Sequence, residues 1–286
     1  MSKRHTLRIA VLGAIGVALA AGATTLSSAA PSSFASSAPK PTVVLVNGAW
    51  SEPASFSGVI RRLQKDGYPV VAPPTALRGL SGDSTYLSAY LKTIEGPVVL
   101  VGQSYGGSVI TNAATGNPNV KALVYISAFA PDKNETAAEL TAKFPGTHIT
   151  DDPNAPLPTA LSAVPFTSTD GTKVTTGIDL YTKPDHYRDL FLSNRLSKKE
   201  SAVLAAEQHP ISLQALGDPS GEPAWKTIPS WFLVSKEDHL IPAATERFMA
   251  TRAHGHITVA DTPHAAQVTD PGIVTRLIEQ AAHATR

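Results

Sequence analysis

Apolar residues fall along this chain in two alternating rhythms. The short runs Thr42 to Val46, Pro69 to Ala72, Val98 to Val101, Ala122 to Ser127, Trp231 to Val234 and Ile257 to Val259 have the length and β-branched composition of buried strands. Between them Phe56, Val59, Ile60 and Leu63, and then Tyr86, Leu87, Tyr90, Leu91 and Ile94, recur at helical spacing. The stretches 105–114, 243–253 and 272–282 read as further helices. Strand and helix in turn make βαβ units, so the pattern predicts an α/β fold: a mainly parallel sheet with helices on both faces.

The alternation lapses between Pro131 and Lys226. That stretch opens with DKNETAAELTAKF, passes through the Pro-rich DDPNAPLPTALSAVPF, and then gives helix-like segments over 185–193 and 198–207. A connection this long ordinarily has a task of its own, often as a lid. Phe144, Leu157, Leu161, Phe166, Leu180, Tyr181, Tyr187, Phe191 and Leu192 supply more apolar surface than a solvated loop keeps. Part of it must pack on the main domain. The remainder, Phe144, Tyr187 and Phe191 in particular, is expected to line an apolar pocket.

The first forty residues stand apart from this scheme. Lys3, Arg4 and Arg8 precede an apolar stretch from Ile9 to Ala23, and the small residues Ser27, Ala29 and Ala30 follow, which is the order of a secretory signal. The stretch falls short of the roughly 20 residues needed to span a bilayer. The expected organisation is a signal peptide over 1–30, a Ser- and Pro-rich linker over 31–40, and one domain over 41–286 with an insertion at about 131–226. The expected destination is outside the cell.

Composition narrows the function classes. With 286 residues, 42% hydrophobic and 16% charged, the chain can bury the core of one large domain. Without Lys3, Arg4 and Arg8 the 24 basic residues become 21 against 23 acidic, so no field for nucleic acid or a membrane surface is implied. The absence of cysteine removes a disulfide framework, a lipoprotein anchor and a thiol nucleophile together.

The chemistry is concentrated in VLVGQSYGGSVI. Gly102, Gln103, Ser104, Tyr105 and Gly106 form Gly-x-Ser-x-Gly between a predicted strand and a predicted helix, the context of a nucleophile elbow. Loops at the carboxyl ends of parallel strands collect functional groups. A serine hydroxyl needs a base within reach and a group to orient that base. Asp238 in SKEDHLIP and His264 in ADTPHAAQV each follow a predicted strand, in the chain order Ser, Asp, His. Glu237 and Asp261 are rivals for the acid by position. His254 and His256 form His-x-His without a third ligand at metal spacing, so no metal site is expected in this chain.

The stretches VVLVNGAW, DGYPVVAPP, VVLVGQSYGGSVITNAA, ALVYISAFAPD, IPSWFLVSKEDHLIP, ERFMATRA and PHAAQV resemble the α/β-hydrolase superfamily. Within it they resemble the small-cap branch of methyl-salicylate-type esterases, pyrethroid-hydrolase-like carboxylesterases and exported actinobacterial hydrolases. The resemblance implies Ser104 as nucleophile, Asp238 as orienting acid and His264 as base. It also implies an oxyanion hole from the backbone N–H groups of Tyr105 and Ala49, Trp50 beside the pocket, and a small helical cap formed by the insertion. No cofactor is implied, and the partner is a small-molecule ester, without nucleic acid or membrane. The chain departs from the branch at Asn47 and Gln103, where histidine is usual; neither belongs to the triad.

Dehalogenases and epoxide hydrolases of this superfamily use an aspartate nucleophile, and its hydroxynitrile lyases carry lysine after the catalytic histidine, where this chain has Ala265. The expected function is therefore hydrolysis of small to medium hydrophobic carboxylic esters through an acyl-enzyme. Cofactor-free perhydrolase or haloperoxidase activity shares the triad and stands as an alternative, as does a ligand-binding protein on the same fold.

Overall fold

The two rhythms become nine strands and ten helices in residues 39–285, the part of the chain that the computed structural model describes. In chain order the first half runs β1 (Thr42–Val46), α1 (Ser57–Lys65), β2 (Val70–Val71), α2 (Leu80–Leu91), β3 (Val98–Ser104), α3 (Tyr105–Ala113) and β4 (Val120–Ala128). The insertion follows as α4 (Ala137–Thr141), β5 (Leu161–Asp170), β6 (Lys173–Thr182), α5 (Pro184–Leu192), α6 (Lys198–Ala206), β7 (Ile211–Ser212) and α7 (Leu213–Gly217). The chain then returns through β8 (Ser230–Glu237), α8 (Ala243–Arg252), β9 (His256–Pro263), α9 (Ala266–Thr269) and α10 (Pro271–Ala284). The expected signal segment and nearly all of the linker lie outside the described residues. No helix among the described residues is long and apolar enough to cross a membrane.

The main sheet has the order β2-β1-β3-β4-β8-β9 and every pairing is parallel. Because side chains alternate across a strand, Val43, Leu45, Val99, Val101, Val124 and Ile126 face α1 and α10, while Val44, Val46, Leu100, Leu123 and Tyr125 face the other layer with α2, α3 and α8. Each such side chain taken fully out of water contributes about 1.5–3 kcal/mol. These two apolar layers fix the strand register and thereby the positions of the strand ends.

Three strands run further than their apolar runs. β3 continues through Ser104, β8 through Glu237 and β9 through Pro263, because the backbone ladder persists after the side chains turn polar. Those polar extensions carry the chain to the edge where the candidate groups meet.

The insertion corrects the expectation of a helical cap. Its helices α5 and α6 are present, but β5 and β6, each of ten residues, form an antiparallel hairpin around Gly171 and Thr172, joined by β7 into a second sheet. The outer half of the hairpin is exposed on both faces, with Val164, Val174 and Ile178 open to solvent. Burial of one face, which would have produced a legible apolar alternation, is missing there.

Candidate active site

Ser104 is the last residue of β3 and the N-cap of α3, with φ 53° and ψ −126°. A non-glycine residue in this region stores of order 1–3 kcal/mol of strain, held here by packing on all sides. The turn is tight enough that side chains are excluded at both flanking glycines. A Cβ at Gly102 would lie 2.5 Å from the Gly106 carbonyl oxygen, and one at Gly106 would lie 2.9 Å from that of Asn47. The first residue of α3, Tyr105, presents one of the backbone N–H groups that a helix leaves without an internal acceptor. Its buried side chain donates from the phenol to Asp83 Oδ2 at 2.9 Å, anchoring the elbow to α2. Burial raises the Asp83 carboxyl above its ordinary range, although the Tyr105 hydrogen bond opposes this.

His264 directly follows β9, and Asp238 directly follows β8. Their side chains form one row with the serine: His264 Nε2 lies 2.9 Å from Ser104 Oγ, and His264 Nδ1 lies 2.6 Å from Asp238 Oδ2. The other oxygen, Asp238 Oδ1, accepts from the backbone N–H groups of Leu240 and Ile241, each at 2.7 Å. The loop itself thus aims the carboxylate. The two rival acids point elsewhere. Glu237 pairs with Arg195 at 2.7 Å and Asp261 with Lys236 at 2.8 Å, all four side chains being well exposed. His256 stacks on Trp231 with ring centres 4.8 Å apart.

Asn47 and Gln103, the two departures from the usual histidines, both have structural work. Asn47 Nδ2 donates to the carbonyls of Gly48 and Ser51, at 3.1 and 2.8 Å, and so closes the loop after β1. Gln103 Nε2 donates to the His264 carbonyl at 3.3 Å. Gly48 lies against Ser104: a Cβ there would fall 2.5 Å from Ser104 Cβ. Ala49 is buried beside it, and its N–H has no acceptor among the described residues.

The insertion is fastened over this row. Trp50 adopts a left-handed backbone, φ 56°, held by hydrogen bonds from its N–H to His209 O at 2.9 Å and from its indole to Leu180 O at 2.8 Å. Tyr187 donates to the Trp50 carbonyl at 3.2 Å and stacks on Phe191. Phe191 meets both Trp50 and His264 edge-on, and its carbonyl accepts the Ala265 N–H at 2.8 Å. A cavity of about 320 Å³ lies next to this cluster, lined by Trp50, Gln103, Tyr187, Phe191, Leu204 and Ala265 among others. Phe144 does not belong to this group. It packs on Phe248 of α8 with ring centres 5.9 Å apart, so the expectation that it lines the same pocket is corrected. Ser104 and His264 are 2% and 0% exposed, covered in this arrangement.

The alpha/beta hydrolase family model matches residues 43–277, which spans every strand of the main sheet and all three groups of the row. The chain belongs to that family.

This α/β hydrolase is similar to a carbendazim hydrolyzing esterase of Nocardioides sp. (strain SG-4G), 34% identical over 113 residues that make up 35% of the present chain and 47% of that protein. The match thus spans about half the length of that relative. It is also 25% identical to the alpha/beta hydrolase nvfD of Aspergillus novofumigatus (strain IBT 16806) over 266 residues, 85% of this chain and 97% of the other. Among solved structures it shares its fold with polyneuridine aldehyde esterase, at TM-score 0.68 and 17% identity, covering 84% of this chain and 98% of that one. The pyrethroid hydrolase PytH aligns at TM-score 0.65 and 21% identity, covering 86% and 98%. The Arabidopsis methylesterase MES16 aligns at TM-score 0.65 and 14% identity, covering 85% and 99%.

Behind the row, this hydrolase holds a group that motif reading missed. Glu246 on α8 is 3% exposed, and its Oε2 accepts the Ser235 N–H at 2.8 Å. Burial, and then the neighbouring Asp238 carboxylate, push the Glu246 carboxyl well above its ordinary range, and its other oxygen, Oε1, has no hydrogen-bond partner among the described residues. A buried hydroxyl chain runs alongside, Ser127 to Ser235 at 2.7 Å and Ser235 to Thr262 at 2.8 Å, tying together β4, β8 and β9 where the row is built. The only sequence signal for Glu246 was an acidic residue at a position on α8 that faces the sheet, eight places after Asp238.

Proposed function

We propose that this α/β hydrolase is a serine esterase that cleaves small to medium hydrophobic carboxylic esters through an acyl-enzyme. The observation that carries the reading is the continuous row Ser104 Oγ, His264 and Asp238, at 2.9 and 2.6 Å. Ser104 Oγ attacks the ester carbonyl while His264 Nε2 takes its proton. Asp238 accepts the Nδ1–H and stabilises the imidazolium that forms. The developing oxyanion is met by the N–H groups of Tyr105 and Ala49 beside the strained turn. His264 then gives its proton to the departing alkoxide, and the alcohol leaves. Water, deprotonated by the same imidazole, attacks the acyl-enzyme; the acid is released and Ser104 regains its proton. Glu246, buried beside Asp238 and pushed toward its neutral form, adds little negative charge next to that carboxylate.

The esterases among its relatives support the ester class, and the apolar cluster of Trp50, Tyr187 and Phe191 supports a hydrophobic substrate. The basic and then apolar leader supports export. A fluorophosphonate probe together with a series of p-nitrophenyl esters tests the reading. Wild type should be labelled on Ser104 and turn over the esters. Ser104→Ala should lose at least about 10⁴-fold in kcat with an unchanged thermal melt. An unlabelled wild type with no turnover on any ester would instead indicate a ligand-binding protein.

A further inference from the structure

Three side chains from separate elements converge where the insertion meets the loop after β8. His148 lies between α4 and β5, Asp189 lies on α5, and His239 is the residue after Asp238. His148 Nδ1 is 2.7 Å from Asp189 Oδ2, and His239 Nδ1 is 3.0 Å from Asp189 Oδ1. One donor atom from each residue lies within 4.8 Å of the other two. The two imidazoles stack with ring centres 4.0 Å apart. The acyl-transfer reading uses none of these groups.

We propose that His148, Asp189 and His239 form a binding site for a divalent transition-metal ion of the Zn²⁺ type, which fastens the insertion to the loop that carries Asp238. Two imidazole nitrogens and one carboxylate oxygen are a borderline donor set, suited to Zn²⁺, Co²⁺ or Ni²⁺ and not to Ca²⁺ or Mg²⁺, which favour all-oxygen shells. Bonds of about 2.0–2.2 Å in a tetrahedron place donor atoms about 3.4 Å apart. The trio already brackets that spacing, and its partly exposed side chains, 48%, 36% and 28% for His148, Asp189 and His239, have room for the adjustment. The same exposure leaves the remaining coordination positions to water and gives an ion a way in.

The surroundings hold the donors in place without an ion. The His148 N–H donates to the His239 carbonyl at 2.7 Å, which fixes the two histidine loops side by side. Asn194 Nδ2 donates to Asp189 Oδ1 at 3.1 Å, and Arg188 Nη1 donates to Asn194 Oδ1 at 2.9 Å, so the carboxylate is aimed from behind as metal ligands usually are. Ser193 also donates to the Glu237 carbonyl, joining α5 to the same loop. When the ion enters, each imidazole presents its Nδ1 lone pair and carries its hydrogen on Nε2; the two contacts to Asp189 give way to three bonds to the metal. Spacings of 41 and 50 residues from Asp189 make no ligand motif, so the expectation of no metal site, drawn from His254 and His256, had nothing to find.

The test uses the protein without a polyhistidine tag, stripped with chelator and titrated with ZnCl₂ by calorimetry, with Co²⁺ absorption as an independent signal. One Zn²⁺ per chain should bind saturably, and Zn²⁺ at 100-fold its Kd should raise Tm by roughly 5 °C. His148→Ala and Asp189→Asn should each weaken binding at least tenfold while their metal-free melts match the metal-free wild type. Asn194→Ala should weaken it about tenfold through the carboxylate alone. No saturable binding in wild type, or equal affinity in His148→Ala and Asp189→Asn, would overturn the proposal. None of these readouts uses ester turnover, so they stand or fall separately from the esterase reading.

Discussion

Two carboxyl groups, Asp238 and Glu246, share the buried ground behind His264. Desolvation beside Asp238 makes the Glu246 carboxyl hold its proton to well above the ordinary range. The unfolded chain releases that proton near the ordinary glutamate value of about 4.3, whereas the fold retains it to much higher pH. Between those limits the folded state binds more protons than the unfolded one, so this group costs stability as pH rises. Glu246→Gln keeps the shape and an acceptor for the Ser235 N–H but has no proton to lose. It should melt higher than wild type at about pH 8, with the gap closing as pH falls toward about 4. A gap that stayed constant across that range would mean that Glu246 is already ionised in the fold. Turnover should separate the variants in another way. Glu246→Gln should stay within a few-fold of wild type, while Glu246→Ala, which removes the acceptor of the buried Ser235 N–H, should lose about tenfold in kcat.

At the scale of elements, the site depends on how closely the loop after β1 approaches the end of β3. Gly48 leaves no room for a side chain against Ser104. Gly48→Ala should therefore displace Ser104 or the Ala49 N–H, with a loss of about 10²-fold in kcat. A thermal melt run in parallel should move by only a few degrees, because the loop is small beside the sheet core. The sequence carried the elbow because its five residues are contiguous, and it carried Asp238 and His264 because strand ends are countable from apolar runs. Asp83, Gln103 and Glu246 meet their partners only through packing of distant elements, and no local pattern encodes such meetings. Phe144 was misplaced for a related reason: an apolar residue announces that it will be covered, but not by which neighbour. The β5–β6 hairpin was missed because neither of its outer faces is buried, so hydrophobicity had no period to show.

At the scale of the whole molecule, the parallel sheet places Ser104, Asp238 and His264 and the insertion covers them. The cluster of Trp50, Tyr187 and Phe191 covers His264, and the neighbouring cavity is finite, about 320 Å³. If acyl chains are bound there, each added methylene that leaves water should raise kcat/KM by up to about fourfold. A series of p-nitrophenyl esters from acetate upward should climb on that slope and then fall for long chains that the cavity cannot hold. A flat profile from acetate to palmitate would mean that the acyl chain lies elsewhere.

The residue after His264 gives its amide hydrogen to the carbonyl of Phe191, the next-to-last residue of α5. That bond ties the insertion directly to the segment that carries His264. A chimera that replaced the segment from α4 to α7 with the lid of a cousin would therefore inherit an imidazole with a missing rest. Changing the clientele of this enzyme by exchanging lids requires a donor segment that also ends a helix on that spot, whereas point changes at Trp50 or Tyr187 leave the mounting untouched.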